Sequence, residues 1–365
     1  MLVVALVVGL TASGGRLPYL SPYALPGVLL LFAAGLDTAF APNPRAAAGI
    51  WKAYFLEPAL AYLLISWLVT GRARARLFLA GLAIAGLLLA ASEWIAFFQA
   101  LGGPGYDSVH PPKPFFLMTP NAVALFLVPL DAVALALAAF SEDRLERLLA
   151  AAFAAVTVAA VLMCGSRGGE LTLVAVVAAV AAFHPLRLRL IGGAAVLAAL
   201  LVAASHSVRD RILVELRPSD PNNTVSLRLP LWESTVRMLR AHPLFGGGLD
   251  GFKQSIQPYK VSGFTEQAVN YPHQVVLTFW SETGLLGLLA FLWLLVQMGR
   301  TAAAGLRSEA WVRVLSIGLL GALVAVVVHG LVDVPYFKND LALEFWALLG
   351  IQSGALASAV RAEPR

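Results

Sequence analysis

Long apolar runs, most of them close to twenty residues and separated by short polar segments, dominate the pattern of this sequence. A helix needs about 20 such residues to cross about 30 Å of hydrocarbon. The runs lack the period-2 alternation of a membrane barrel, so they predict transmembrane helices. The predicted spans, of which the sixth is short, are 24–40, 51–69, 77–100, 120–140, 146–163, 171–183, 188–204, 274–298, 312–332 and 341–360.

Composition supports the same class. Of the 365 residues, 59% are hydrophobic and 13% are charged, whereas soluble domains have about 45–50% and about 25%. We therefore expect an all-α polytopic membrane protein with about 10–12 transmembrane helices and one large outer loop, 205–273, that contains short amphipathic helices. The net charge of +5 comes from arginines in loops and does not indicate nucleic-acid binding. A single cysteine, Cys164, excludes an internal disulfide and a cysteine-based metal site.

The arginines predict which side of the membrane each loop faces. They occur in the loops after the second, fourth and eighth spans and before the seventh, which all fall on one side. The positive-inside rule makes that side cytoplasmic, so the outer loop and the segments around 166 and 330–340 face outward. The arginines used are Arg72, Arg74, Arg76, Arg144, Arg147, Arg187, Arg189, Arg300, Arg307 and Arg313.

Carboxylates inside the predicted spans indicate where polar side chains gather in the bundle. Intramembrane acids usually face a wet cavity or a partner. We expect a polar vestibule that opens to the outer face, because most of these acids lie in the outward half of their helices and only Asp131 is central. The outward acids are Asp37, Glu57, Glu93, Glu282 and Glu344.

Three basic residues converge on the outer face. Arg167 lies in the turn Ser166–Gly169 between two apolar runs, where a charge facing lipid costs roughly 2.5–3.5 kcal/mol. Arg228 precedes a predicted amphipathic helix at 230–241, and His273 lies at the mouth of the eighth span. Arginine binds two phosphate oxygens at once, and a neutral histidine can take a proton from a hydroxyl. The pattern predicts an anion site with a general base.

Each of these residues also has a less specific interpretation. Arg167 can be interfacial, Arg228 solvated, and His273 an ordinary interfacial histidine. His329 and Asp333 lie four apart and can pair, for which a structural role is favoured. The sequence contains no Walker A loop, Asp-x-Asp pair, zinc motif or nucleophile elbow. We therefore expect a metal-free reaction, without a cofactor, on an anionic lipid-borne substrate.

Four segments in order resemble the signature of the O-antigen ligase and polymerase superfamily. Gln274 stands where that family usually has asparagine, and the family often has about twelve spans. The segments are CGSRGG at 164–169, HPLFGGGLDGF at 242–252, HQVVL and ETGLLG at 273–277 and 282–287, and HGLVD at 329–333 with Phe345 and Trp346.

The resemblance implies transfer of a glycan from undecaprenyl pyrophosphate to an acceptor hydroxyl at the outer face of the bacterial inner membrane. The acceptor would be lipid A–core or a growing glycan. It implies that His273 is catalytic, that Arg167 and Arg228 bind the pyrophosphate, and that anomeric configuration inverts. Possible supporting residues are Ser166, Glu282, His329 and Asp333. The implied organisation is an N-terminal bundle at 1–144 and a ligase-like catalytic region at 145–365.

Three functions remain open at this point. A ligase would pass the finished chain to lipid A–core, and this is the favoured interpretation. A polymerase would lengthen a lipid-linked chain with the same residues. A transporter of lipid-linked sugars would also need basic residues within an apolar bundle, although it should show internal repeats and charges through the full membrane depth.

Overall fold

The computed structural model describes residues 21–101, 119–189, 192–193, 213–217, 220, 223–264 and 270–362. Within these residues the chain is mostly helical and contains no β-strand. A π-helical turn, Lys52–Leu56, joins α2 to α3, and a 3₁₀ turn, Gln257–Tyr259, follows α9. The helices are α1 Ala24–Thr38, α2 Pro44–Trp51, α3 Glu57–Leu68, α4 Arg72–Leu101, α5 Pro120–Phe140, α6 Arg144–Met163, α7 Arg167–Ala181, α8 Thr224–Ala241, α9 Phe252–Ser255, α10 Val275–Gly305, α11 Ala310–Gly330 and α12 Asn339–Ala362.

Six of the described helices are long and apolar enough to cross a membrane, namely α4, α5, α6, α10, α11 and α12. The all-α polytopic class predicted from the sequence is confirmed. The predicted span 188–204 lies almost wholly outside the described residues, as do 1–20 and 102–118. The total number of spans therefore stays a prediction.

Helix α5 lies at the centre of the bundle and packs against α6, α7 and α11. Small residues permit the close approach of α11: a Cβ added to Gly318 or Gly321 would lie 2.8 Å from Val133 Cα or 2.9 Å from Ala132 Cβ. Helix α5 also contacts α4, so it packs against helices from both sides of residue 144. Residues 119–121, the start of α7 and the end of α11 lie together at one end of the bundle. The predicted division of the chain at 144 stays a prediction.

Helices α4 and α6 begin earlier than the sequence indicated. Arg72, Arg76 and Arg144 were expected in loops, but they lie in the first turns of these helices. Ion pairs explain the difference: Arg76 lies 2.7 Å from Asp143 and 2.8 Å from Glu146, and Arg72 lies 2.7 Å from Glu146. These pairs tie the two helix ends together and compensate the arginine charges.

Helix α8, in the outer loop, also begins earlier than predicted. Asn223 caps it by accepting a 2.8 Å hydrogen bond from Ser226 N, so Arg228 lies inside the helix and not before it. The predicted amphipathic faces are confirmed, because Leu231, Thr235 and Met238 are buried whereas Arg237 is exposed. His242 follows the last helical residue, as predicted.

Segment 242–252 docks onto a break in α10. The break is at Gly284, where φ is +64° and ψ is −177°. The freed Leu285 N donates to Leu244 O at 2.9 Å, and Gly247 N donates to Ser281 O at 2.8 Å. Two segments that resembled family motifs therefore form one structural unit, which fixes the helix that begins just after His273.

The prediction that the intramembrane acids face an open vestibule is wrong for most of them. Asp37, Glu93 and Glu344 are buried among helices, and none of them lines the cavity described in the next section. Glu57 is half-exposed and lies 3.5 Å from Lys52. The sequence did not reveal which helix face these acids occupy, because the neighbouring helices that cover them are distant in sequence. Their depth in the membrane stays a prediction.

The break at Gly284 predicts a large effect of a single methyl group. Only glycine commonly adopts this backbone conformation, and a Cβ here would lie 2.3 Å from Leu244 O. We expect Gly284→Ala to lower the free energy of unfolding by about 2 kcal/mol or more, measured by denaturation in detergent micelles.

Gly81→Ala is the matched control, because a Cβ at Gly81 in α4 meets nothing within 4 Å. We expect it to leave stability unchanged or slightly raised. Equal stability of the two variants would contradict the role assigned to the break.

Candidate active site

A cavity of about 260 Å³ lies where the ends of α5, α7, α8 and α11 meet. Its wall contains two arginines, a histidine and an aspartate, together with backbone at the start of two helices. The lining residues are Thr119, Pro120, Asn121, Gly165, Arg167, Gly168, Arg228, His329, Val332 and Asp333.

Residues at the N-termini of two helices line this cavity. Thr119 caps α5 and accepts a hydrogen bond from Ala122 N at 3.3 Å, and Ser166 caps α7 and accepts one from Gly169 N at 3.1 Å. The first backbone N–H groups of a helix carry a partial positive charge and bind anions. Arg167, the first residue of α7, adds a full charge at the same place. The arrangement is suited to an anion.

A chain of hydrogen bonds connects His273 to the start of α7. His273 Nδ1 lies 3.2 Å from Asp333 Oδ1. Asn121 Nδ2 donates to Asp333 Oδ2 at 2.7 Å, and Ser166 Oγ donates to Asn121 Oδ1 at 2.8 Å. Four residues from four parts of the chain are therefore held in one geometry.

Asp333 is ionised in this network. Burial raises its pKa, but the hydrogen bond from His273 and the nearby His329 and Arg228 outweigh burial and lower the pKa to about 2. Val334 N also donates to Oδ1, at 2.9 Å. A carboxylate with this many donors is fixed in position and orients the imidazole that it holds.

His273 has an unusual backbone conformation, with a φ of +51°. Neighbours on both sides maintain it: Trp232 Nε1 donates to Pro272 O at 2.9 Å, and Gln274 caps α10 by accepting from Leu277 N at 2.7 Å. The side chain is 39% exposed. With Nδ1–H donating its hydrogen bond to Asp333, Nε2 has a lone pair that can accept a proton from a substrate hydroxyl.

Both arginines interact with one acidic residue, Glu215. Arg167 forms an ion pair with Glu215, and Glu215 Oε2 also accepts from Val225 N, in the first turn of α8, at 3.3 Å. Burial lowers the pKa of Arg228 and outweighs the charges of Asp333 and Glu215, which raise it. Arg228 remains charged despite this burial, because the guanidinium pKa is very high.

The structure brings most of the predicted residues together. Arg167, Arg228, His329 and Asp333 line the cavity, Ser166 lies directly behind it, and His273 is attached to its wall through Asp333.

Glu282 does not join this group. The family resemblance suggests it as a supporting residue of the site, but its carboxylate accepts from Asp250 N at 2.5 Å and from Phe252 N at 3.4 Å. It therefore holds segment 242–252, and Asp333 takes the orienting position.

The expected side-chain pair between His329 and Asp333 is absent, because both oxygens of Asp333 bond to other residues. Sequence reasoning also missed Asn121 and Glu215. The Thr119–Pro120 pair marked the start of α5, but nothing local indicated that Asn121 faces the site. Among the described residues, no group of three or more His, Cys, Asp or Glu side chains is placed to hold a metal ion.

These features define a multi-pass membrane protein whose described residues are mostly helical, with a cavity lined by two arginines beside an oriented histidine. Residues 121–292, slightly under half of the chain, match the family model described as O-Antigen ligase. The match supports the O-antigen ligase superfamily for this chain, and with it a membrane glycan transferase of the ligase or polymerase kind that acts on a lipid-linked glycan and an acceptor. A comparison with curated proteins gave no match.

The Asp333 network predicts a pH-dependent contribution to stability. Its pKa falls from 3.8 to about 2 on folding, so its stabilising effect is complete above the unfolded value and is lost as pH falls through the folded value. We expect the thermal midpoint of Asp333→Asn in detergent to lie well below that of the wild type at pH 6. The gap should narrow between about pH 4 and pH 2.

Glu233→Gln is the control, because Glu233 pairs with Arg237 on an exposed helix face. Such a pair contributes about 0.5 kcal/mol or less, so its midpoint should follow that of the wild type. A pH-independent gap for Asp333→Asn would contradict the assigned charge state.

Proposed function

We propose that this protein transfers a glycan from an undecaprenyl-pyrophosphate carrier to an acceptor hydroxyl, with lipid A–core as the acceptor. The observation that carries the proposal is the cavity in which Arg167, Arg228 and the N-termini of α5 and α7 surround a space next to the His273–Asp333 pair. An anionic leaving group and a general base are what this transfer requires.

The diphosphate would occupy the cavity. Each guanidinium presents a planar fork that matches two phosphate oxygens. When the bond between the anomeric carbon and the diphosphate oxygen breaks, negative charge grows on that oxygen. Arg167, Arg228 and the two helix N-termini stabilise this charge, and preorganised stabilisation of this kind often contributes more to catalysis than any other single effect. In many glycosyl transfers a metal ion stabilises this charge. Because the arginines and the helix N-termini would do so here, we expect the reaction to proceed without a metal ion.

His273 would activate the acceptor. Its Nε2 takes the hydroxyl proton while the oxygen attacks the anomeric carbon from the side opposite the diphosphate. The new C–O bond forms as the old one breaks, so the anomeric configuration inverts. Asp333 stabilises the imidazolium that results, because its carboxylate bonds to Nδ1.

Ser166 would act indirectly. Its hydroxyl caps α7 and bonds to Asn121, so it holds the first turn of the helix that carries Arg167.

The site would face the periplasm. Helix α6 begins at Arg144 and ends at Met163, close to Arg167, so the arginine cluster at the start of α4 and α6 and the cavity lie at opposite ends of the bundle. The positive-inside rule assigns that cluster to the cytoplasm. The proposed reaction would therefore take place at the outer face of the inner membrane.

A transfer assay with His273→Ala tests the base. Purified protein, labelled undecaprenyl-pyrophosphate glycan and lipid A–core are combined in EDTA. We expect the wild type to be active and His273→Ala to lose about 10²–10⁴-fold in kcat. The control is His184→Ala, because His184 follows the far end of α7; it should retain full activity.

The same assay separates the candidate functions. Transfer that requires lipid A–core indicates a ligase, whereas lengthened lipid-linked chains without it indicate a polymerase. Equal activity of His273→Ala and the wild type would show that the base is misassigned. If no acceptor supports transfer, lipid flipping should be measured.

Substitutions of Arg167 test the leaving-group site. We expect Arg167→Ala to lower kcat by about a hundredfold or more. Arg167→Lys should recover only part of this loss, because an ammonium lacks the planar fork. Arg237→Ala is the control, since Arg237 is exposed and pairs with Glu233. Full activity of Arg167→Ala would contradict the assignment of the cavity.

A further inference from the structure

His329 is a buried residue, and one of its two ring nitrogens lacks a hydrogen-bond partner among the described residues. It lies in the last turn of α11, and only 1% of its surface is exposed. Its Nε2 has no hydrogen-bond partner among the described residues. Buried polar side-chain atoms are bonded in the large majority of cases, so this nitrogen needs an explanation.

The position of the imidazole indicates what kind of group would supply the missing hydrogen-bond partner of Nε2. His329 lies in the wall of the cavity together with Arg167 and Arg228. A Cβ added to Gly168 would lie 3.1 Å from His329 Nε2, so the orphan nitrogen touches the first turn of α7. The absence of a side chain at Gly168 permits this close approach of the imidazole to α7, and both residues line the cavity.

The protein groups near His329 do not provide the missing bond. Asp333 is the closest acid along the chain, but its two oxygens accept from His273 and Asn121. Arg228, which also acts on His329 electrostatically, offers only donors. A bound anion, attracted by the arginines and the two helix N-termini, would supply an acceptor at the right place.

We propose that His329 Nε2–H donates a hydrogen bond to a phosphate oxygen of the diphosphate in this cavity. The identity of the ligand rests on the proposed function. The two histidines then have separate tasks: His273 receives the proton of the acceptor, and His329 binds the leaving group. An acceptor oxygen at Nε2 selects the imidazole tautomer that carries its proton there.

Binding of the carrier without its glycan tests this assignment independently of transfer. The probe is undecaprenyl diphosphate, titrated into the full chain in detergent. His329→Gln keeps an N–H donor near the position of Nε2, and His329→Leu removes it at similar size. We expect His329→Leu to weaken binding about tenfold or more and His329→Gln to bind within about threefold of the wild type.

Three controls give the expected loss its meaning. Undecaprenol, which has no phosphate, should bind all variants equally. Inorganic pyrophosphate should show the same ratio between variants, which assigns the contact to the phosphates and not to the lipid chain. His184→Leu should bind as the wild type does, and the thermal midpoints of both His329 variants should lie close together.

Two results of the binding measurement would overturn the proposal. The first is wild-type affinity in His329→Leu. The second is an equal loss of affinity and of thermal midpoint in both variants, because rescue by glutamine distinguishes a donor from a packing role.

The outcome is separable from that of the proposed function. Binding that depends on His329 in a protein that transfers nothing supports this inference and rejects the transferase. Normal transfer with an unchanged donor KM in His329→Leu rejects this inference alone.

Discussion

The Asp333 carboxylate joins parts of the chain that are far apart in sequence. It accepts from His273 at the start of α10 and from Asn121 at the start of α5, and through Asn121 it reaches Ser166 at the start of α7. Removing the partner of a buried charge leaves that charge uncompensated. The geometry of the site therefore depends on this one group, which joins the starts of α5, α7 and α10.

The bundle makes this junction possible because its helices end at the same level. Helix α5 packs against α6, α7 and α11, so the ends that carry Asn121, Ser166 and Asp333 meet. On the other side, the break at Gly284 and the bonds from Glu282 fix segment 242–252 against α10. This attachment holds α10 at residues 281–285, in the helix that begins two residues after the strained backbone of His273.

Periodicity and length were sufficient to predict the helical class and most helix positions, because each apolar run is a local signal. The choice of Arg167, Arg228 and His273 came from their positions at predicted helix ends and from the family resemblance. The structure brings Arg167 and Arg228 to the cavity and attaches His273 to its wall.

What the sequence could not reveal depends on pairings between distant segments. The partner of His273 is Asp333 and not Glu282, although Glu282 is much closer along the chain. Asn121 gave no local signal because its function depends on which helices pack beside α5. The starts of α4 and α6 were missed because ion pairs between the two helices, absent from either segment alone, allow arginines in their first turns.

The central claim is that His273 and Asp333 act as one unit in the transfer. A double-mutant cycle with His273→Ala, Asp333→Asn and the double variant, measured as kcat, tests it most directly. If the two residues act together, the double variant is no slower than His273→Ala alone. If the two losses multiply, each residue acts independently, and the account of the site is wrong.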